Sequence, residues 1–133
     1  MIGAALLLSC IFSSVASYAD RFYLSKDRLI EGILIREIGS FIPVGKSNAL
    51  NLYELICRSN DATQEQVDGC TIFASALQNF RVRRWREASE KFFESKECFG
   101  KDGVSDFYVN LCKLYQQESP GDSWDGIIHL ERK

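Results

Sequence analysis

Two β-strands joined by turns are predicted by residues 33–55, which read ILIREIGSFIPVGKSNALNLYEL. Apolar and polar residues alternate near both ends of this stretch, which is the pattern of half-buried strands. Turns are predicted at residues 39–40 and at residues 44–47, where Gly and Ser are concentrated. Pro43 has no backbone N–H to donate, so its strand should lie at a sheet edge or be irregular there. The stretch therefore indicates hairpin-like strands.

An apolar run lies at the start of the chain. Residues 4–9 predict a buried strand, and residues 10–18 predict a short helix. Residues 1–19 also fit a secretory signal, although the run has no Lys or Arg before it. The run is too short and too rich in serine to span a bilayer, so no membrane segment is predicted. We expect a cytoplasmic protein, with export as the alternative if residues 1–19 are a signal peptide.

Helix-forming residues follow a polar break at residues 59–62. Thr63 and Gln66 form a capping box, which predicts that a helix begins just after Thr63. Further helices are predicted over about 84–99 and about 105–117, each followed by a glycine or proline that ends it. Apolar side chains at spacings of three and four predict one interaction or packing face, made of Phe73, Ala76, Phe80, Trp85, Ala88 and Phe92.

The composition excludes several classes of function. The chain has 133 residues, 46% of them apolar, and a formal net charge of −2. These values are typical of a globular protein, and without an excess of basic residues no nucleic-acid partner is expected. The five cysteines contain no C-x-x-C pair and His129 is the one histidine, so no metal site is predicted.

Four arginines lie close together at the predicted turn between the first two helices: Arg81, Arg83, Arg84 and Arg86. Such guanidinium groups bind phosphate or acidic partners in other proteins. A solvated turn whose charge is neutralised by the glutamates just downstream is the interpretation that we favour.

Residues 36–55, REIGSFIPVGKSNALNLYEL, resemble the C-terminal end of the catalytic domain of class III adenylate and guanylate cyclases. In that family a strand enters a V-K-G-K or V-V-G-K turn and leaves through a Y-E-L-like strand. Residues 3–9, GAALLLS, are similar to the strand that the family writes as G-x-x-I-L-I-S. The helical half resembles a tetratricopeptide (TPR) helix pair, a tail that many bacterial cyclases carry and close with a proline and a Trp-Asp-Gly segment. Here these are Pro120 and residues 124–126.

The resemblance implies an α+β fold in two parts. The first is an N-terminal fragment of a ferredoxin-like cyclase α/β domain, with a strand, a helix and hairpin-like strands. The second is an all-α TPR-like helical tail. The expected boundaries are 1–58 for the cyclase fragment, 59–118 for the helical hairpin with a third helix, and 119–133 for a C-terminal extension with the Trp-Asp-Gly segment.

The resemblance also implies a function in signal transduction, the conversion of ATP or GTP to a cyclic nucleotide. The family uses two divalent metal ions, Mg or Mn, held by two aspartates, and an Asn and an Arg that act on the substrate. All four should precede residue 1, so no catalytic residue and no cofactor is expected in this chain, which should be inactive alone.

One phosphate contact is a candidate within the chain. The residue that matches the family's phosphate-contacting lysine is Val44, so that contact is not carried over. Lys46, two residues later, can reach a polyphosphate as a flexible point charge. An ordinary solvated lysine in a turn is the alternative.

A TPR-like protein–protein interaction module without enzymatic activity is the alternative function. Residues 63–118 would be its working part, because a helix pair with one further helix leaves an apolar face uncovered. The expected partners are a second copy of the chain, the missing cyclase half, or another protein bound through the helical tail. ATP or GTP is expected to bind only in a complete enzyme.

Overall fold

In the computed structural model, the described residues are 22–23 and 32–130. They form an α+β fold, which confirms the predicted class. The strands are β1 (Phe22–Tyr23), β2 (Ile33–Ile42), β3 (Leu50–Arg58) and β4 (Ile128–His129), and the helices are α1 (Gln64–Arg81), α2 (Trp85–Phe99) and α3 (Gly103–Gln117). The strand and helix predicted for residues 4–18 lie outside the described residues.

A mixed sheet forms the first of two compact units, which contains the described residues up to Ala62 and from Ile127 onward. Among those residues the strand order is β1-β3-β2-β4. β3 pairs antiparallel with both β1 and β2, whereas β4 pairs parallel with β2. The buried apolar side chains of this unit are Ile38, Phe41, Leu52, Tyr53 and Ile128.

The turn predicted at residues 39–40 is wrong, because both residues lie inside β2. The pairing changes there from Glu37 opposite Tyr53 to Gly39 opposite Leu52, so β2 has one extra residue and forms a bulge. Gly39 has a φ of 136°, which a glycine adopts without strain. The chain reversal occurs only after Ile42, where Pro43 interrupts no strand pairing.

Three helices form the second unit, Thr63–Gly126. The predicted capping box is confirmed, since the Gln66 N–H donates to Thr63 Oγ1 at 3.2 Å and the Thr63 N–H donates to Gln66 Oε1 at 2.9 Å. α3 begins two residues earlier than predicted, because the Asp106 N–H donates to the Asp102 carbonyl oxygen and closes a first turn there. No helix in the described part of the chain is long and apolar enough to cross a membrane.

α1 and α2 approach each other closely at two small residues. Gly69 of α1 is buried, and its carbonyl oxygen accepts a hydrogen bond from Ser95 Oγ of α2 at 2.8 Å. A Cβ atom added to Gly69 would lie 2.7 Å from Cε2 of Phe99. The spacing of the two helices therefore depends on the absence of a side chain at Gly69.

Candidate functional site at the β2–β3 turn

The turn between β2 and β3 carries the candidate phosphate contact. Lys46 is exposed there, and its backbone N–H donates to the Pro43 carbonyl oxygen at 3.1 Å. Gly45 has a φ of 75°, the left-handed conformation that favours glycine. Val44, which the resemblance matches to the phosphate-contacting lysine of the cyclases, is half-buried. The turn therefore presents the Lys46 ammonium group to solvent.

An open depression of about 380 Å³ lies beside this turn, lined by Pro43, Gly45, Lys46, Ser47, Asn48 and Leu50. The ammonium, hydroxyl and amide groups of this lining are suited to an anion, which the lysine would meet as a flexible point charge. The described residues of the lining contain no carboxylate, imidazole or thiol. The polar side chains that they offer a ligand are those of Lys46, Ser47 and Asn48.

A buried ion pair fixes the two strands that lead into the turn. Arg36 of β2 and Glu54 of β3 lie directly opposite each other, and Arg36 Nη2 donates to Glu54 Oε2 at 2.6 Å. Both side chains are more than nine-tenths buried. The pair supports the turn from within the sheet, and no local sequence signal marks it because its members are 18 residues apart.

The six residues of the predicted packing face lie in the core of the helical unit. All six are buried, and four of them have no exposed surface. The Phe92 ring stacks on Tyr108 with centroids 4.5 Å apart and contacts Phe73 edge to face at 5.1 Å. Because packing occupies these side chains, a protein that binds the helical unit has to contact other residues.

One buried thiol lies in the same core. Cys112 of α3 has no exposed surface, and burial raises the pKa of its thiol to about 12. The reactive form of a cysteine is the thiolate, which is scarce at neutral pH when the pKa is this high. Cys112 is therefore a packing residue and not a candidate nucleophile.

The arginine cluster divides into two groups. Arg84 and Arg86 are exposed, and Arg86 pairs with Glu90 at 3.3 Å on the surface, as expected for a solvated turn. Arg83 instead donates hydrogen bonds to the carbonyl oxygens of Pro120 and Gly121. The phosphate-binding interpretation therefore has no support at Arg83, whose guanidinium group binds the protein's own backbone.

The part of the chain that the structure describes shows no cluster of side chains for a metal ion. No group of three or more His, Cys, Asp or Glu side chains is placed there to hold one. The residues that line the depression at the β2–β3 turn include no Asp or Glu, whose carboxylate oxygens are typical ligands of Mg.

Comparison with known proteins gives no family assignment. No protein-family model, no curated protein and no solved structure matches this chain. Its function therefore has to be inferred from the residues and from the geometry that they form.

Proposed function

We propose that the chain is the C-terminal portion of a class III adenylate or guanylate cyclase, made of the end of the catalytic domain and a TPR-like helical tail. In this proposal it supplies part of the supporting shell of the active site. It carries neither the metal-binding aspartates nor the Asn and Arg that act on the triphosphate. Those groups supply most of the rate enhancement in phosphoryl chemistry, so the chain alone is inactive.

The observation that carries the proposal is the β2–β3 hairpin. Its strands pair antiparallel from Ile33 opposite Arg58 to Phe41 opposite Leu50. The connection between them contains the Val-Gly-Lys-Ser turn, and the Tyr-Glu-Leu segment at residues 53–55 lies on β3. The segment that resembles the cyclases thus forms the strand, turn and strand that the resemblance requires.

The helical unit gives independent support. α1 and α2 pack against each other, and Ala76, Trp85, Ala88 and Phe92 are all buried. Small residues alternate with aromatic ones at these positions, as in TPR-like helix pairs. The burial of these four side chains supports the helical tail of the proposal.

Complementation tests the proposal. The purified chain is mixed with a class III catalytic domain truncated just before its G-x-x-I-L-I-S strand, in the presence of Mn-ATP. We expect cyclic AMP from the mixture and none from either part alone, because only the mixture contains both the catalytic groups and the hairpin. Failure of the mixture to form cyclic AMP, with both parts folded, would contradict the proposal.

The role of Lys46 is tested in the same mixture with a matched pair of variants. Lys46→Ala is expected to raise KM for ATP about two- to fivefold, the effect of losing one solvent-exposed charge contact. Lys113→Ala removes an equally exposed lysine from α3 and should leave KM unchanged. Equal KM values for the two variants would show that Lys46 is an ordinary turn lysine.

A protein-interaction module is the second candidate function. It is favoured by the exposed large apolar side chains, which among the described residues all belong to the helical unit: Val67, Val82, Phe93 and Leu114. Sedimentation velocity at micromolar concentration distinguishes the two candidates. A self-association that Phe93→Ser abolishes would support the module, and a folded monomer would count against it.

A further inference from the structure

A short segment without regular secondary structure crosses the helical unit after α3. We call it the strap and define it as residues 119–126, which read SPGDSWDG. Arg83, in the turn between α1 and α2, holds its first part. The guanidinium Nη1 donates to the Pro120 carbonyl oxygen at 3.0 Å, and Nη2 donates to the Gly121 carbonyl oxygen at 2.5 Å.

The middle of the strap is held by Trp124, which covers the aromatic end of the helical unit. Its ring centroid lies 5.4 Å from that of Phe80, 5.3 Å from that of Trp85 and 5.8 Å from that of Tyr115. The guanidinium carbon of Arg83 lies 5.5 Å from the centroid of the Trp124 ring, a cation–π distance. One arginine therefore binds both the strap backbone and the side chain that docks it.

The conformation of the last residue of the strap favours glycine. Gly126 is buried and has a φ of 85°. A Cβ atom there would lie 3.3 Å from Cγ of Arg81, closer than ordinary van der Waals contact. The Trp-Asp-Gly segment therefore has a physical explanation in this fold, since the tryptophan docks on the aromatic rings and the glycine passes beside α1.

The backbone of Arg83 is set by the end of α1. Arg83 has a φ of 66° and is the one residue other than glycine with a positive φ in the described part of the chain. The Arg83 N–H donates to the Phe80 carbonyl oxygen at 3.1 Å, and the Arg84 N–H donates to the Asn79 carbonyl oxygen at 2.9 Å. These two hydrogen bonds are those of a Schellman motif, in which the residue after the helix adopts the left-handed conformation. The side chain that binds the strap therefore starts from a backbone position that the helix end fixes.

We propose that the strap is a cap within the same chain, that Arg83 is its latch, and that it opens as a unit while the three helices stay folded. Opening uncovers the aromatic surface formed by Phe80, Trp85 and Tyr115. Segments with few buried contacts and much exposed backbone open at lower free energy than the core to which they dock. This proposal stands independently of the cyclase proposal.

Hydrogen exchange of the Trp124 amide reports opening, because its hydrogen bond to the Gly121 carbonyl oxygen at 3.0 Å closes a short turn within the strap. That turn loses the packing that supports it when the strap leaves the helices. Arg83→Ala removes the latch, and Ala has the same difficulty as Arg with a positive φ. Arg84→Ala is the matched control, because Arg84 is exposed and adjacent in the chain. We expect Trp124 to exchange about tenfold faster in the Arg83 variant, since it loses two charged hydrogen bonds.

Chymotrypsin gives a second readout, because cleavage after Trp124 releases residues 125–133 as a fragment identifiable by mass. Arg83→Ala should accelerate this cleavage, Arg83→Lys should have an intermediate effect, and Arg84→Ala should have none. A lysine keeps the charge but cannot bind two carbonyl oxygens as a rigid fork.

Two results would overturn the proposal. One is an Arg83 variant in which Trp124 exchanges and is cleaved at the wild-type rate. The other is an equal loss of protection throughout the helices, which would mean that Arg83 acts only through global stability. If Arg83→Ala does not fold, hydrogen exchange of the wild-type chain is measured in low concentrations of urea. An exchange rate of the Trp124 amide that does not change with urea supports local opening of the strap. A rate that rises with urea as the rates of the core amides do overturns the proposal.

Discussion

The close approach of α1 and α2 at Gly69 predicts that Gly69→Ala destabilises the protein. An added Cβ would lie 2.7 Å from Cε2 and 2.9 Å from Cζ of Phe99, and 3.0 Å from Cβ of Cys98. The Phe99 ring can move aside because it is the end of a flexible side chain. Cβ of Cys98 is fixed to α2, so the two helices have to separate by a few tenths of an ångström.

Unfavourable contact terms and a favourable helix-preference term together set the change in the free energy of unfolding. Overpacking a core contact costs about 1–3 kcal/mol, and separating the helices also weakens the hydrogen bond from Ser95 to the Gly69 carbonyl oxygen. Replacing Gly by Ala inside a helix returns about 1 kcal/mol of intrinsic helix preference. The net expectation for Gly69→Ala is a loss of about 1–2 kcal/mol in the free energy of unfolding.

Urea unfolding followed by far-ultraviolet circular dichroism measures this loss. With a urea dependence of about 2 kcal/mol per molar, the midpoint should fall by roughly 0.5–1 M. Gly103→Ala is the matched control, because Gly103 begins α3 and an added Cβ there has no atom within 4 Å. That variant should be neutral or more stable by up to about 1 kcal/mol. The reasoning is refuted if Gly69→Ala is as stable as Gly103→Ala.

Three further predictions concern stability. Glu54→Gln should cost about 3–5 kcal/mol, since it removes the carboxylate charge that faces the buried Arg36 guanidinium. Arg36→Met with Glu54→Leu should recover most of the loss, and additive free energies in urea unfolding would contradict the pairing. Cys112 should make the chain less stable as pH rises from about 9 to 12, because the thiol loses its proton in the unfolded chain before it does in the folded one. The loss in the free energy of unfolding is at most about 4 kcal/mol, and an equal dependence of stability on pH in Cys112→Ala would refute this origin. Thr63→Ala should cost about 1 kcal/mol of stability because it removes the capping box of α1. Thr71→Ala on the same helix should cost less, and equal unfolding midpoints for the two variants would argue against the cap.

Local patterns in the sequence predicted the helical unit well. The capping box at Thr63 and Gln66 placed the start of α1 correctly, because both partners lie within one turn of helix. The spacing of Phe73, Ala76 and Phe80 predicted their common packing face on α1, because apolar side chains three and four residues apart share one side of a helix. Signals of this kind depend only on neighbouring residues.

Contacts between distant residues could not be predicted in the same way. The Arg36–Glu54 pair joins residues 18 apart and depends on the register of β2 and β3, which the bulge near Gly39 shifts by one residue. Arg83 reaches Pro120 across 37 residues, and in the sequence it is one of four neighbouring arginines without a distinguishing signal. The turn wrongly predicted at residues 39–40 has a related cause, because glycine favours a bulge as well as a turn.

The central claim is that this chain carries a supporting hairpin and a helical tail without the groups that cyclise a nucleotide. The most direct measurement is the amount of cyclic AMP and cyclic GMP that the purified chain of 133 residues forms from ATP and GTP with Mg or Mn. We predict no product above a boiled control. Turnover clearly above that control would contradict the claim.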